Sequence, residues 1–197
     1  MKATYKHQKH FLTYMLALLC LSATYTADCQ RIYDHSFRDI NGKNVRLKDF
    51  TGKKLLFIIL PVSAVDSVAA QLKSFVAIYG DRVQVIGVLS QEDGYSKGMK
   101  ADIKAIYQNT GILVTDMMGS RKGNNQSPLM KWLTNKNENG HFNMDAKGPG
   151  QKFFVNEQGR LYAVLGQLSL SSPFINKIVN ATAGNDRPDP AKEKIKP

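Results

Sequence analysis

Cysteine is scarce in this 197-residue chain, which has two copies, Cys20 and Cys29. Both lie ahead of every predicted strand and helix, so the body of the chain has no thiol. Histidine is scarce as well, because only His35 and His141 lie beyond the first thirty residues. Two scattered histidines and no body cysteine exclude a structural zinc site, and no histidine–carboxylate spacing typical of a mixed metal site is present. We therefore predict no metal and no cofactor.

Acidic residues are in the minority, with 16 Asp and Glu against 27 Lys and Arg, and the formal net charge is +11. The basic residues are scattered and do not form a basic face with interleaved aromatic residues, which nucleic-acid binding would require. We therefore predict no nucleic-acid partner and a basic, soluble surface. Hydrophobic residues make up 43% of the chain, which is enough for the core of one domain of ordinary size.

An apolar run long enough to cross a bilayer comfortably is missing from the sequence. The run FLTYMLALLCLSA covers residues 11–23 and follows a segment with three lysines and no acid. Small residues then follow at Ala23, Thr26 and Ala27, as at a signal-peptide cleavage site. We predict that residues 1–27 are a cleaved signal peptide, with an uncut membrane anchor as the alternative. After cleavage, no stable membrane span is expected.

Export would decide the chemistry of both cysteines. Cys20 would leave with the signal peptide, and Cys29 would lie at the start of a folded domain predicted for residues 28–182, so no internal disulfide could form. Asp28, directly before Cys29, disfavours lipid attachment, which leaves a free or intermolecular thiol. Residues 183–197 are polar and proline-rich, which predicts a disordered tail. The predicted location is periplasmic or secreted.

Hydrophobic patterns divide the domain into strands and helices. Continuous apolar runs predict strands buried on both faces, and turn sequences such as Asn41-Gly42-Lys43 predict hairpins. Apolar spacings of three and four predict helices, two of which open with Ser-Pro. The predicted strands are residues 31–40, 44–47, 54–60, 83–89, 112–115, 152–155 and 161–165, and the predicted helices are residues 65–79, 101–108, 127–133 and 172–179.

The order of these elements is βαβ, then a helical connection, then ββα, which is the thioredoxin-type arrangement. We predict an α/β, thioredoxin-like fold in which helices flank a mixed central sheet. Trp132 lies beside Leu129 and Leu133 on a predicted helix, so we expect it in the core rather than facing a partner.

Three segments resemble the glutathione peroxidase family of the thioredoxin superfamily. IYDHSFRDINGKNVRLKDFTGKKLLFI (residues 32–58) is similar to the family's first hairpin and buried strand. SPLMKWLTNK (127–136) is similar to the helix after its middle strand, and KFFVNEQGRL (152–161) resembles its late hairpin. The resemblance covers about residues 31–180, with the segments in the same order. It implies the glutathione-peroxidase type of thioredoxin-like fold, with a reactive cysteine or selenocysteine in the loop after the first buried strand.

The positions at which the resemblance implies catalytic residues are degenerate. The loop PVSAVDS puts Ala64, or Ser63 with a shift of one residue, at the position of the reactive cysteine. Neither side chain can form the oxidisable thiolate that peroxide reduction needs. Gln91 is the nearest match to the family's glutamine, whereas Gly148 and Pro149 stand where the family has tryptophan and asparagine.

Pro149 lies between two glycines just before a predicted strand. Thioredoxin-type folds often have a cis-proline at this place, and the alternative is an ordinary turn. If the proline is cis, Pro149 would face the loop at Ser63 and Ala64, and together with Gln91 it would border a polar groove able to bind a ligand.

The sequence therefore predicts an exported pseudo-enzyme with a binding or structural role, whose partner is an unknown protein or small molecule. The alternative is a thiol-dependent peroxidase or redoxin-type oxidoreductase that uses Cys29. Against this alternative, a cysteine on an N-terminal arm lacks the helix N-terminus and pocket that lower the pKa of a thiol. A serine hydrolase would need Ser63 or Ser67 beside His141 after folding, which no sequence pattern indicates.

Overall fold

The computed structural model describes residues 31–63 and 66–181. Within these residues the strands, in chain order, are β1 (Ser36–Arg38), β2 (Asn44–Arg46), β3 (Lys54–Ile59), β4 (Val83–Ser90), β5 (Leu113–Met118), β6 (Lys152–Val155) and β7 (Leu161–Leu165). The α-helices are α1 (Asp66–Tyr79), α2 (Lys100–Tyr107), α3 (Pro128–Thr134), α4 (Lys136–Asn139) and α5 (Pro173–Asn180). The predicted signal peptide, the predicted tail, both cysteines and Ala64 lie outside the described residues.

A mixed five-stranded sheet forms the centre of the domain, with the strand order β5-β4-β3-β6-β7. Strand β3 is parallel to β4, and β4 is parallel to β5, whereas β6 is antiparallel to both β3 and β7. All six residues of β3 are buried, as its continuous apolar run predicts for a strand covered on both faces. The predicted α/β architecture with a mixed sheet is therefore confirmed.

Alternate residues of the strands face two separate cores. Helices α1, α2 and α5 cover one face, and α3 covers the other together with the segment that contains β1. Trp132 of α3 is 2% exposed, which confirms the expected core position. The first face includes Leu56, Ile58, Leu72, Phe75, Ile103, Phe154 and Ile175, and the second includes Leu55, Phe57, Leu129, Trp132, Leu133 and Phe153.

The hairpin of β1 and β2 is a separate two-stranded unit attached to the sheet edge. Its turn contains Gly42 with φ of +84°, as the predicted tight turn requires. The backbone N–H of Ile40 donates to the carbonyl of Val114 in β5 at 2.9 Å, which fastens the hairpin to the main sheet.

Several boundaries differ from the sequence prediction. The first predicted strand begins as a 3₁₀ turn, Ile32–Asp34, because the Asp34 carboxylate accepts a hydrogen bond from the Arg31 amide and favours a turn there. Strand β5 extends to Met118, since an edge strand tolerates the polar and exposed residues that interrupt its apolar pattern. The short helix α4 was not predicted and is capped by the Asn135 side chain. No helix in the described part of the chain is both long and apolar enough to cross a membrane.

Candidate functional site

Three loops that are distant in sequence meet at one end of the sheet. They follow β3, follow β4 and precede β6, and strand pairing brings them together. The amide of Leu60 donates to the carbonyl of Val88 at 3.0 Å, and the amide of Gly150 donates to the carbonyl of Ile59 at 2.8 Å. In parallel strands the carboxyl ends lie at the same edge, where ligands of open α/β sheets bind. Four of the sequence-predicted site positions, Ser63, Gln91, Gly148 and Pro149, belong to these three loops.

The loop after β3 leads directly into the first turn of α1. Ser63 is exposed, and α1 begins at Asp66. The Tyr107 hydroxyl donates to the carbonyl of Pro61 at 3.1 Å and fixes the base of the loop. Burial raises the pKa of Tyr107, so its hydroxyl keeps the donated proton. The helix start is therefore where the sequence predicted it, and Ser63 is the residue with a hydroxyl in the described part of this loop.

The loop after β4 carries a buried carboxylate that the sequence reasoning missed. Gln91 has an exposed side chain, whereas the side chain of Asp93 is 6% exposed. Oδ1 of Asp93 accepts from Arg121 at 2.9 Å, while its Oδ2 is buried and has no hydrogen-bond partner within the described residues. A Cβ atom added to Gly148 would lie 3.2 Å from Oδ1 of Asp93. The carboxylate therefore occupies the space into which a tryptophan at position 148 would project.

Hydrogen bonds to Glu92 hold the start of the same loop. Its Oε2 accepts from the amide of Ser120 at 2.9 Å and from the hydroxyl of Ser90 at 3.2 Å. Partial burial opposes ionisation of Glu92, but hydrogen bonds from Ser120 and neighbouring amides outweigh it and lower the pKa of Glu92. The ionised carboxylate thus ties the end of β4 to the segment after β5.

A cavity of about 400 Å³ opens beside the turn before β6. It lies between the end of β3, the first turns of α1 and the loop after β7. Pro149 lines this cavity, whereas Ser63 and Gln91, which are both described, are not among its lining residues. Pro149 follows a trans peptide bond, as does every described residue, so the turn alternative applies. The lining residues are Ile58, Pro61, Val68, Gln71, Pro149, Gly150, Lys152, Gln167, Leu168, Ser169 and Leu170.

Lys152 is the charged residue of the cavity wall and is only 2% exposed. In the sheet it stands between Ile58 of β3 and Leu165 of β7, so it shares the face covered by α1. Its Nζ donates to the carbonyl of Gly150 at 2.7 Å and forms no ion pair with a described carboxylate. Burial lowers the pKa of Lys152 to about 8.

Lys54 is a second buried lysine and shows what is unusual about Lys152. Nζ of Lys54 lies 3.1 Å from a carboxylate oxygen of Glu157 and donates to the carbonyl of Ala181 at 2.6 Å. Lys54 is thus neutralised by a structural partner. A polar residue within an apolar strand pattern is the sequence signal that could have drawn attention to Lys152, but the pattern cannot separate the two lysines.

The remaining candidate chemistry is not assembled at this end of the sheet. His35 is buried against the ring of Trp132 in the other core, with 6.4 Å between ring centroids. His141 is exposed in the loop after α4, and its ring forms no hydrogen bond with Ser63 or Ser67, both described residues. Among the described residues, no group of three or more His, Cys, Asp and Glu side chains could hold a metal ion. The described site therefore offers a cavity, a lysine and a carboxylate.

Comparison with known proteins gives a relative and several similar folds. The chain is 30% identical over 146 residues to glutathione peroxidase 1 of Caenorhabditis elegans, a match covering 68% of this chain and 86% of that relative. The fold is similar to that of T. cruzi GPX1, with a TM-score of 0.57, 12% identity and coverage of 76% of this chain and 94% of the other. Trgpx in its apo form also has a TM-score of 0.57, with 20% identity and coverage of 76% and 93%. No family model matches the chain.

Proposed function

The chain belongs to the glutathione peroxidase family, and from that premise we propose that it keeps the thioredoxin-like scaffold for a binding role and has lost thiol peroxidase chemistry. The proposal also makes it an exported protein, which the signal-like pattern of residues 1–27 supports.

One observation carries the loss of activity: no cysteine follows Cys29 in the sequence. The loop between β3 and α1 contains Ser63 and Ala64 where the resemblance implies the reactive sulfur. Peroxide reduction by a thiol needs a thiolate that is oxidised to a sulfenic acid and then reduced again, and a serine hydroxyl cannot follow this route.

The binding role is supported by the cavity at this end of the domain. Ligand pockets in proteins commonly have volumes of about 300–1,000 Å³ and are apolar with a few placed polar groups. The cavity lined by Pro149 and Lys152 has about 400 Å³ and this kind of wall.

The deciding experiment measures peroxide consumption by the full chain with glutathione or thioredoxin as reductant, beside the Cys29→Ser variant and an active glutathione peroxidase as positive control. We expect no turnover above the uncatalysed rate in either form of this protein. Turnover that Cys29→Ser abolishes would overturn the proposal and make the chain an enzyme with a relocated cysteine. N-terminal sequencing of the exported preparation tests the signal peptide, since cleavage is expected near Ala23–Ala27 and an intact N-terminus would contradict it.

A further inference from the structure

We propose that the cavity beside Lys152 binds a small organic carboxylate that has an apolar hydrocarbon body. This inference rests on the proposed binding role and names its ligand class. It is carried by three features of the described residues: an apolar wall, one buried ammonium group in that wall, and hydrogen bonds that hold the wall in place.

The wall is apolar on three sides. Strand β3 contributes Ile58, α1 contributes Val68, and the loop after β7 contributes Leu168 and Leu170. When hydrocarbon replaces water on such a surface, the free energy falls by roughly 25 cal/mol for each Å² of apolar surface that is buried. The body of the ligand is therefore apolar, and an inorganic anion such as phosphate would leave most of this wall in contact with water.

Lys152 supplies the polar end of the site. An ammonium group has three N–H donors, and the carbonyl of Gly150 accepts one of them. Two donors therefore remain without a partner among the described residues, which matches the two oxygens of a carboxylate. A buried charge without a counter-ion is unfavourable, and a bound anion would remove that penalty and form hydrogen bonds stronger than neutral ones.

No described carboxylate forms an ion pair with this ammonium group, so it has no counter-ion among the described residues. Lys152 is the only charged or titratable residue among the described lining residues. The other described lining residues of the cavity, from β3, α1, the turn before β6 and the loop after β7, have aliphatic side chains or are prolines, a glycine, glutamines and a serine. A neutral ligand would leave Lys152 uncompensated, so the wall favours an anion over an alcohol of the same shape.

Hydrogen bonds across the cavity keep it open. The Ser169 hydroxyl donates to the Gln71 side chain at 2.9 Å, and this bond joins the loop after β7 to α1. The Gln167 side chain donates to the carbonyl of Pro149 at 3.1 Å, and this bond joins the same loop to the turn before β6. A preformed cavity lowers the ordering cost of binding, so a small ligand is sufficient.

The test is isothermal titration calorimetry of the full chain with octanoate at about pH 7, compared with 1-octanol and acetate. Octanol has the same hydrocarbon length without the charge, and acetate has the charge without the body. We expect octanoate to bind at least about tenfold more tightly than either, because octanol lacks the charged hydrogen bonds and acetate leaves the apolar wall in contact with water. No octanoate binding, or equal affinities for octanoate and octanol, would overturn the inference.

Two variants assign the effect to Lys152. Lys152→Met removes the charge at similar length and is expected to reduce octanoate affinity to that of octanol. Lys147→Met removes an exposed charge from the same turn and is expected to leave octanoate affinity unchanged. Octanoate binding that persists in Lys152→Met, or that is lost equally in Lys147→Met, would contradict a site at Lys152.

The wild-type chain provides a second measurement in case Lys152→Met does not fold. Deprotonation of Lys152 removes the counter-ion, and its pKa in the empty cavity is about 8. Octanoate affinity should therefore fall about tenfold between about pH 7 and about pH 9, while octanol affinity stays constant. A flat octanoate profile would overturn the inference. Failure of octanoate binding without peroxide turnover rejects only the ligand class, whereas turnover that depends on Cys29 rejects the proposed function whether or not octanoate binds.

Discussion

At the scale of single residues, Asp93 and Gly148 show how closely the loop after β4 packs against the turn before β6. Gly148 has φ of +123°, a backbone conformation that other residues adopt only with strain. The Asp93 carboxylate fills the space beside it and is held there by Arg121 at 2.9 Å. A tryptophan at position 148 would therefore require the carboxylate to move as well as the backbone to change.

Lys152 should make the free energy of unfolding depend on pH in a definite direction. Its pKa is about 8 in the folded protein against about 10.5 when exposed, so the unfolded chain binds more protons between these values. Stability then rises as the pH rises from about 8 to about 10.5, because the folded state no longer has to bury a charge. The gain is at most about 3.5 kcal/mol, since the two pKa values differ by about 2.5 and one pKa unit corresponds to about 1.4 kcal/mol.

Urea unfolding of the wild-type chain and Lys152→Met at about pH 7 and about pH 10 measures this effect. The difference between the two proteins isolates Lys152 from the tyrosines and other lysines that titrate in the same range. We expect the wild type to gain stability relative to the variant on going to the higher pH. A constant difference, or a relative loss, would show that Lys152 is not buried as a charged group.

At the scale of elements, the starts of α3 and α5 were predictable, because the sequence signal for each start is local. Ser127 accepts a hydrogen bond from the amide of Met130, Ser172 accepts one from the amide of Phe174, and proline follows each serine at the first helical position. The 3₁₀ turn at Ile32–Asp34 and the short helix α4 have weaker signals. Their side-chain to backbone hydrogen bonds also occur in ordinary turns, so the sequence alone did not separate them from strand or loop.

Ser127→Ala should lower the free energy of unfolding by about 1 kcal/mol, because the amide of Met130 loses the oxygen that caps it. Ser127→Asp is the matched control. It keeps an acceptor at the cap and places a negative charge at a helix N-terminus, so it should retain wild-type stability or exceed it. Urea denaturation measures both variants. Equal losses in the two would show that the serine acts through packing rather than through capping.

At the scale of the whole molecule, the fold was predictable and the site only in part. Continuous apolar runs and two hairpin turns determine the order of elements, and the resemblance located the loop of Ser63 and the turn of Pro149. The cavity could not be predicted because its wall combines three segments that are distant in sequence. Lys152 is buried because it pairs in the sheet with Ile58 of β3 and Leu165 of β7. The sequences of these two strands contain no charge pattern from which this register could be predicted.

The boundary of the domain gives the last prediction. Removing residues 183–197 should change the free energy of unfolding by less than about 0.5 kcal/mol, because that segment is predicted to lie outside the folded domain.

Removing residues 173–197 also deletes α5, whose Ile175 and Val179 are buried in the core on the α1 face. It further removes Ala181, whose carbonyl accepts from Lys54 at 2.6 Å, so we expect this form to lose its cooperative unfolding transition. Thermal unfolding followed by circular dichroism compares the full chain with both deletions. A large loss from the shorter deletion would place the tail inside the domain, and a cooperative transition after the longer one would show that α5 is dispensable.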